Sequence, residues 1–164
     1  MQTFKTWLRI LGAALLLVSA IIGIEILLEQ PMGLFSGSRP SDLGFNAGKF
    51  KACPSKPNCV SSTTDVKDTQ HYIEPLKFSG APDVAWKRLK QILATTPHTV
   101  VGEQAHYFRL EFKSARMGFV DDVEFALDPA AQIIHVRSAS RLGVRDFGVN
   151  RARIENIRTR FSLT

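Results

Sequence analysis

The stretch Asp122-Val123-Glu124-Phe125-Ala126-Leu127-Asp128-Pro129, followed by Ile133-Ile134-His135-Val136-Arg137-Ser138-Ala139-Ser140, reads as two paired strands. Val123, Phe125 and Leu127 alternate with Asp122, Glu124 and Ala126, the period of two that marks a strand with one buried face. Asp128-Pro129 opens a turn, and Ile133–Ser140 reads as the returning strand. A connection this short makes the pair antiparallel. The simplest register sets Leu127 opposite Ile134 and Phe125 opposite Val136 on the buried face. On the other face it sets Glu124 opposite Arg137, with Asp122 diagonally within reach of Arg137.

The same patterns extend on both sides. Phe108, Leu110 and Phe112 alternate with Arg109, Glu111 and Lys113, so this segment is a further strand whose charged residues join the outer face. Residues 99–101 and 71–76 read as strands, the latter ended by Ser79-Gly80-Ala81-Pro82. Val84, Ala85, Leu89, Ile92 and Leu93 recur at helical spacing, which predicts an amphipathic helix over 84–95 with Asp83 as its N-cap and Pro97 beyond its end. Asn150 is placed to cap a last helix carrying Ile154, Ile157 and Phe161 on one stripe. The order β-α-β-β-β-β-α predicts an α+β domain, a mostly antiparallel sheet covered on one face by two helices.

The first 28 residues differ in kind. From Trp7 to Leu28 the chain is apolar for 22 residues except at Arg9 and Glu25, enough for ~33 Å of helix, about a bilayer core. This predicts a transmembrane signal-anchor helix over 1–28. Cleavage after Val18-Ser19-Ala20 would instead leave an apolar stub at the new N-terminus. With Lys5 and Arg9 kept in the cytoplasm, the expectation is a single-pass inner-membrane protein whose C-terminal domain lies in the periplasm or an equivalent exported compartment. Residues 29–50 read as a linker rich in Pro, Gly and Ser, although Phe35, Phe45 and Phe50 point to partial packing on the domain. Residues 51–164 then form the exported domain.

Cys53 and Cys59 are the only cysteines, and they bracket a loop with two prolines. Outside the cytoplasm such a pair reads as a disulfide. The four His show no paired metal spacing, so no metal and no cofactor are expected.

The net charge of +6 is uneven. From Arg137 to the C-terminus seven Arg face only Asp146 and Glu155. On a domain at a membrane this suggests an anionic ligand, lipid or protein partner, while nucleic acid is not expected in the exported compartment. The ligand-binding candidates are Asp122, Glu124, Arg137, Ser138, Ser140, Arg141, Asp146 and Arg151. A solvated face tied by cross-strand ion pairs would show the same residues. The alternative reading is an envelope hydrolase using Asp122, Glu124, Arg137 and Ser138. Two carboxylates on one strand, however, seldom flank a scissile bond, and no nucleophile elbow is present. A third reading, a scaffold docking into a larger complex, predicts an exposed apolar patch.

Three separated motifs carry a likeness: Cys53-Pro-Ser-Lys-Pro-Asn-Cys-Val-Ser61, Gly118-Phe-Val-Asp-Asp-Val-Glu-Phe125, and Arg137-Ser-Ala-Ser-Arg141 with Gly143, Asp146, Gly148, Asn150 and Arg151. Over about residues 40–162 the chain resembles the domain-of-unknown-function family fourteen-ninety-nine. The resemblance implies a bacterial envelope or plastid protein, often with N-terminal membrane segments. It implies no established reaction and assigns no catalytic residue.

Overall fold

The computed structural model of the protein describes residues 2–27 and 35–163. Helix α1 (Gln2–Leu27) comes first. A two-residue hairpin, β1 (Phe45–Asn46) and β2 (Lys49–Phe50), follows, then β3 (Cys59–Ser61), β4 (Leu76–Lys77) and α2 (Pro82–Leu93). A meander of four strands, β5 (Thr99–Gln104), β6 (Tyr107–Lys113), β7 (Val120–Asp128) and β8 (Ile133–Ser140), leads to α3 (Val149–Ser162). The main sheet is antiparallel in the order β3-β8-β7-β6-β5, and β4 pairs with the other half of β8.

The α+β expectation for the domain holds, with both covering helices on one face. Phe108, Leu110, Val123, Phe125, Leu127, Ile134 and Val136 form the inner face of the sheet. Against them pack Trp86, Leu89 and Leu93 of α2 and Ile154, Ile157 and Phe161 of α3. Each large apolar side chain so buried stabilises by about 1.5–3 kcal/mol. The β7–β8 register is the one the alternation predicts: Leu127 faces Ile134, Phe125 faces Val136 and Glu124 faces Arg137.

The membrane-spanning expectation is overturned. Residues Gln2–Leu27 do form one helix, yet among the described residues no helix is long and apolar enough to cross a membrane. Between Arg9 and Glu25 only residues 10–24 are uncharged. They give ~22 Å of helix where a span needs about 20 apolar residues. Leu28, the end of the expected span, lies outside the described residues.

Other boundaries shift for local reasons. Helix α2 begins at Pro82, which fits the first turn because it lacks an N–H, and Ala81 is the N-cap residue; Asp83 sits in the first turn and caps nothing. The expected strand over 71–76 narrows to β4 plus one bridge, Tyr72 with Ser61. Strand β3, inside the cysteine motif, carries no alternation and so gave no strand signal. Cys53 and Cys59 are joined, with Cα atoms 5.6 Å apart.

Residues 35–50 are not a solvated linker. They lie across the outer face of the sheet, where Phe45 stacks on His135 with ring centroids 5.3 Å apart and meets Phe50 edge-on at 4.9 Å. Phe35 stacks on Phe119.

Candidate functional site

The outer face of the sheet is where the charged positions of β6, β7 and β8 meet. Strand pairing brings Arg109 opposite Glu124, Glu111 opposite Asp122 and Glu124 opposite Arg137. Because residues 39–52 cover it, this face is buried: Asp122, Glu124 and Arg137 are respectively 2, 0 and 4 % exposed. A buried charge is tolerated only when paired and hydrogen-bonded, and each of these is. Arg141 donates to both oxygens of Asp122 at 2.8 and 2.9 Å and also to Glu111. Arg109 donates to Asp122 at 2.8 Å and to the Pro40 carbonyl. Arg39 forks onto the two oxygens of Glu111. Arg137 donates to Glu124 at 3.0 Å and to the Lys51 carbonyl at 2.9 Å, and the Tyr107 hydroxyl donates to the other Glu124 oxygen at 2.9 Å. Asp122 is thus held by Arg109 and Arg141 rather than by Arg137.

The charges set one another's titration. Hydrogen bonding from Arg39 holds the Glu111 carboxyl below its ordinary range, helped by Arg141. Burial pushes Glu124 up, against the pull of Arg137 and Tyr107. Burial, with the neighbouring Glu124 carboxylate, also pushes the Tyr107 hydroxyl up, so it stays a donor.

Between this floor and the covering segment lies a cleft of about 310 Å³. Lys51, Asp122, Ser140, Arg137 and Arg141 line it, with Pro40 and Leu43 on the covering side. Three buried guanidinium groups (Arg109, Arg137, Arg141) balance three carboxylates (Glu111, Asp122, Glu124), and Arg39, 58 % exposed, adds a positive charge at the edge of the network. A larger hollow of about 520 Å³, lined by Lys87, Arg88 and Arg160 among others, lies beside α2 and α3, away from this network.

Of the remaining expected site residues, Ser138, Ser140 and Asp146 belong to a second cluster, on the inner face at the start of α3. The Ser138 hydroxyl donates to Asn150 Oδ1, and Arg153 donates to both of those groups and to Asp121. The Asn150 amide donates to the Asn58 carbonyl, the Ser140 hydroxyl and the Asp146 carboxylate. Asn150 is therefore not the cap. Gly148, with φ +82°, is the N-cap residue, and Asp146 accepts the backbone N–H groups of Gly148 and Asn150. Ser138 sits on the opposite side of the sheet from Glu124 and Arg137, so the hydrolase set is not assembled. Arg151 donates to the carbonyls of Gln70 and Tyr72, which ties α3 to the chain after β3. Among the described residues no group of three or more His, Cys, Asp or Glu is placed to hold a metal ion.

Sequence reasoning missed Arg39, Arg109, Glu111 and Tyr107 as members of the polar core. Arg109 and Glu111 were visible as outer-face residues, but nothing local in the sequence shows that residues 39–52 cover them.

The family described as "Protein of unknown function (DUF1499)" matches residues 49–161. The chain belongs to this family. The match takes in every strand of the main sheet, β2 of the small hairpin, α2, all but the last residue of α3, and every polar residue above save Arg39. No curated protein and no solved structure matches the chain.

Asp146 gives the site a pH signature. Burial works to raise its pKa, but the N–H donors of Asn150 and Gly148 outweigh it and hold the carboxyl below its ordinary value of 3.8. With a folded pKa below the unfolded one, its stabilisation is complete above the unfolded value and is lost as pH falls through the folded value. Thermal unfolding between about pH 2 and 6 is expected to show a flatter acid limb for Asp146→Asn than for the wild type.

Proposed function

We propose that this is an exported binding domain that takes a small anionic ligand, carboxylate- or phosphate-bearing, in the cleft above Arg137 and Arg141. The observation that carries the reading is a cleft of about 310 Å³ whose floor presents Arg137 and Arg141, with Lys51, half-exposed and paired with Asp42, on its lip. A guanidinium fixed by a carboxylate on one edge is preorganised to meet an anion on another. Export is supported by the Cys53–Cys59 disulfide, which persists only in an oxidising compartment.

The reading is tested by titrating the oxidised full chain with inorganic phosphate and with citrate while following thermal unfolding. A ligand that binds only the folded state stabilises it by about 2.7 kcal/mol at a hundredfold excess over Kd. One of the two anions is expected to raise Tm in this saturable way. Lys51→Glu, which replaces the half-exposed partner of Asp42 by a like charge, is expected to weaken the effect about tenfold and to lower the ligand-free Tm by no more than a few degrees. Identical, unsaturable responses of wild type and Lys51→Glu would remove the cleft from consideration.

A further inference from the structure

We infer that one end of the sheet is a surface that rests on an anionic lipid bilayer. Two connections build that end: residues 114–119 between β6 and β7, and residues 141–148 between β8 and α3. They lie side by side because the Arg141 N–H donates to the Val120 carbonyl. Together they expose Met117, Leu142, Val144 and Phe147, and Val149 continues the patch into α3. Phe147 is 95 % exposed and adopts φ +55°, a conformation unfavourable for a bulky residue.

The loop is held in this shape from beneath. Asp146 accepts the N–H groups of Gly148 and Asn150, and the Asn58 amide donates to the Gly143 carbonyl. Strain of this kind persists only where the surroundings impose it, and it clusters at sites that contact something else. No packing inside the domain explains a fixed, solvent-facing Phe on an apolar loop.

The charges at this end select the occupant. Arg116 and Arg145 are exposed on the same two connections. The carboxylates nearby are engaged, Asp121 by Arg153, Asp122 by Arg109 and Arg141, and Asp146 by the α3 N-terminus. Apolar tips flanked by Arg, with the acids turned inward, match the boundary between anionic headgroups and acyl chains. The first described residues after α1 sit at the same end, Phe35 on Phe119 and Gly37 against Leu142. This surface is separate from the cleft over the outer face and does not depend on the ligand proposed for it.

Depth-resolved fluorescence tests the inference on the full oxidised chain. In a Trp7→Phe background, so that Trp86 in the core is the constant signal, a reporter is introduced by Phe147→Trp or, as control, by Val84→Trp. Val84 is exposed on α2 at the far end of the sheet, beyond β4. Vesicles contain phosphatidylglycerol and brominated phosphatidylcholine. A side chain inserted ~5–10 Å into the interface comes within reach of bromine, so the position-147 reporter is expected to lose about half its emission and the position-84 reporter almost none. Adding Arg116→Glu and Arg145→Glu is expected to restore most of the lost emission. No association with the vesicles, no quenching at position 147, or equal quenching at both positions would overturn the proposal and leave the patch to a protein partner.

Discussion

Glu124→Leu is expected to destabilise the oxidised protein by about 3–5 kcal/mol in denaturant unfolding, the largest effect of any single change considered for the outer face. Glu124 is fully buried, and its two oxygens accept from Arg137 and Tyr107. Removing it leaves the Arg137 guanidinium, itself 4 % exposed, without a counter-charge in a low-dielectric site. Most of the loss comes from the orphaned charge rather than from the pair's attraction, because desolvation offsets much of that attraction. The double variant Glu124→Leu/Arg137→Met is therefore expected to recover more than half of the lost stability. A single variant costing under about 1 kcal/mol, or a double variant no better than the single, would show that the face is wetter and looser than the structure describes.

The second large effect is at Asn150. Asn150→Ala is expected to cost about 3 kcal/mol, with a lower unfolding midpoint and an unchanged denaturant slope. One side chain at the first turn of α3 accepts from Ser138 and Arg153 and donates to Asn58, Ser140 and Asp146. It joins the cysteine motif, the end of β8 and the helix start into one unit, and its side chain is fully buried. Alanine would leave several of these groups unpaired in the interior, and each unsatisfied group costs ~1–3 kcal/mol. Asn150→Asp would be worse still, since it sets a second carboxylate against Asp146. A loss below about 1 kcal/mol for Asn150→Ala would mean that water replaces the amide and that the cluster is not sealed.

The two buried polar clusters are what join three motifs far apart in the sequence. Asn58 comes from the cysteine motif, Asp122 and Glu124 from β7, and Arg137, Arg141, Asp146 and Asn150 from the last polar stretch. Each motif reads alone as a loop or a solvated strand face. In the fold they close on one another across both faces of β8.

How much of this was legible depends on the range of the signal. The β7–β8 pairing follows from alternation and a short turn, so its register, including Glu124 opposite Arg137, could be read directly. Helix α2 was legible for the same reason, apart from the N-terminal shift that Pro82 imposes. The burial of the outer face was not legible. Arg109, Glu111, Asp122, Glu124 and Arg137 alternate with apolar residues as a solvated face would, and only the return of residues 39–52 over the sheet changes their environment. Phe35, Phe45 and Phe50 were the one hint of that return, and all three now have ring partners. All seven C-terminal Arg likewise looked available for a partner. In the fold Arg137, Arg141 and Arg153 hold carboxylates, while Arg151, Arg158 and Arg160 donate to backbone carbonyls. Local charge counting cannot separate these uses, because the acceptors just named lie 13 to 83 residues away. The apolar N-terminal run shows the opposite failure: a generous count that includes Arg9 and Glu25 reaches membrane length, and the uncharged stretch alone does not.

Arg137 and Arg141 are proposed to floor an anion-binding cleft while remaining fixed to their carboxylates. The most direct measurement is a ¹⁵N spectrum of the arginine Nε–H groups of the oxidised full chain during titration with phosphate or citrate. Both groups are buried donors, to the Lys51 carbonyl and to Asp122 respectively, so each should give a sharp, slowly exchanging signal before any anion is added. One of the two anions is expected to move both signals along a saturable curve and to leave that of Arg151, bound to carbonyls across the domain, in place. Signals from Arg137 and Arg141 that stay put to saturating anion, or that move no more than that of Arg151, would contradict it.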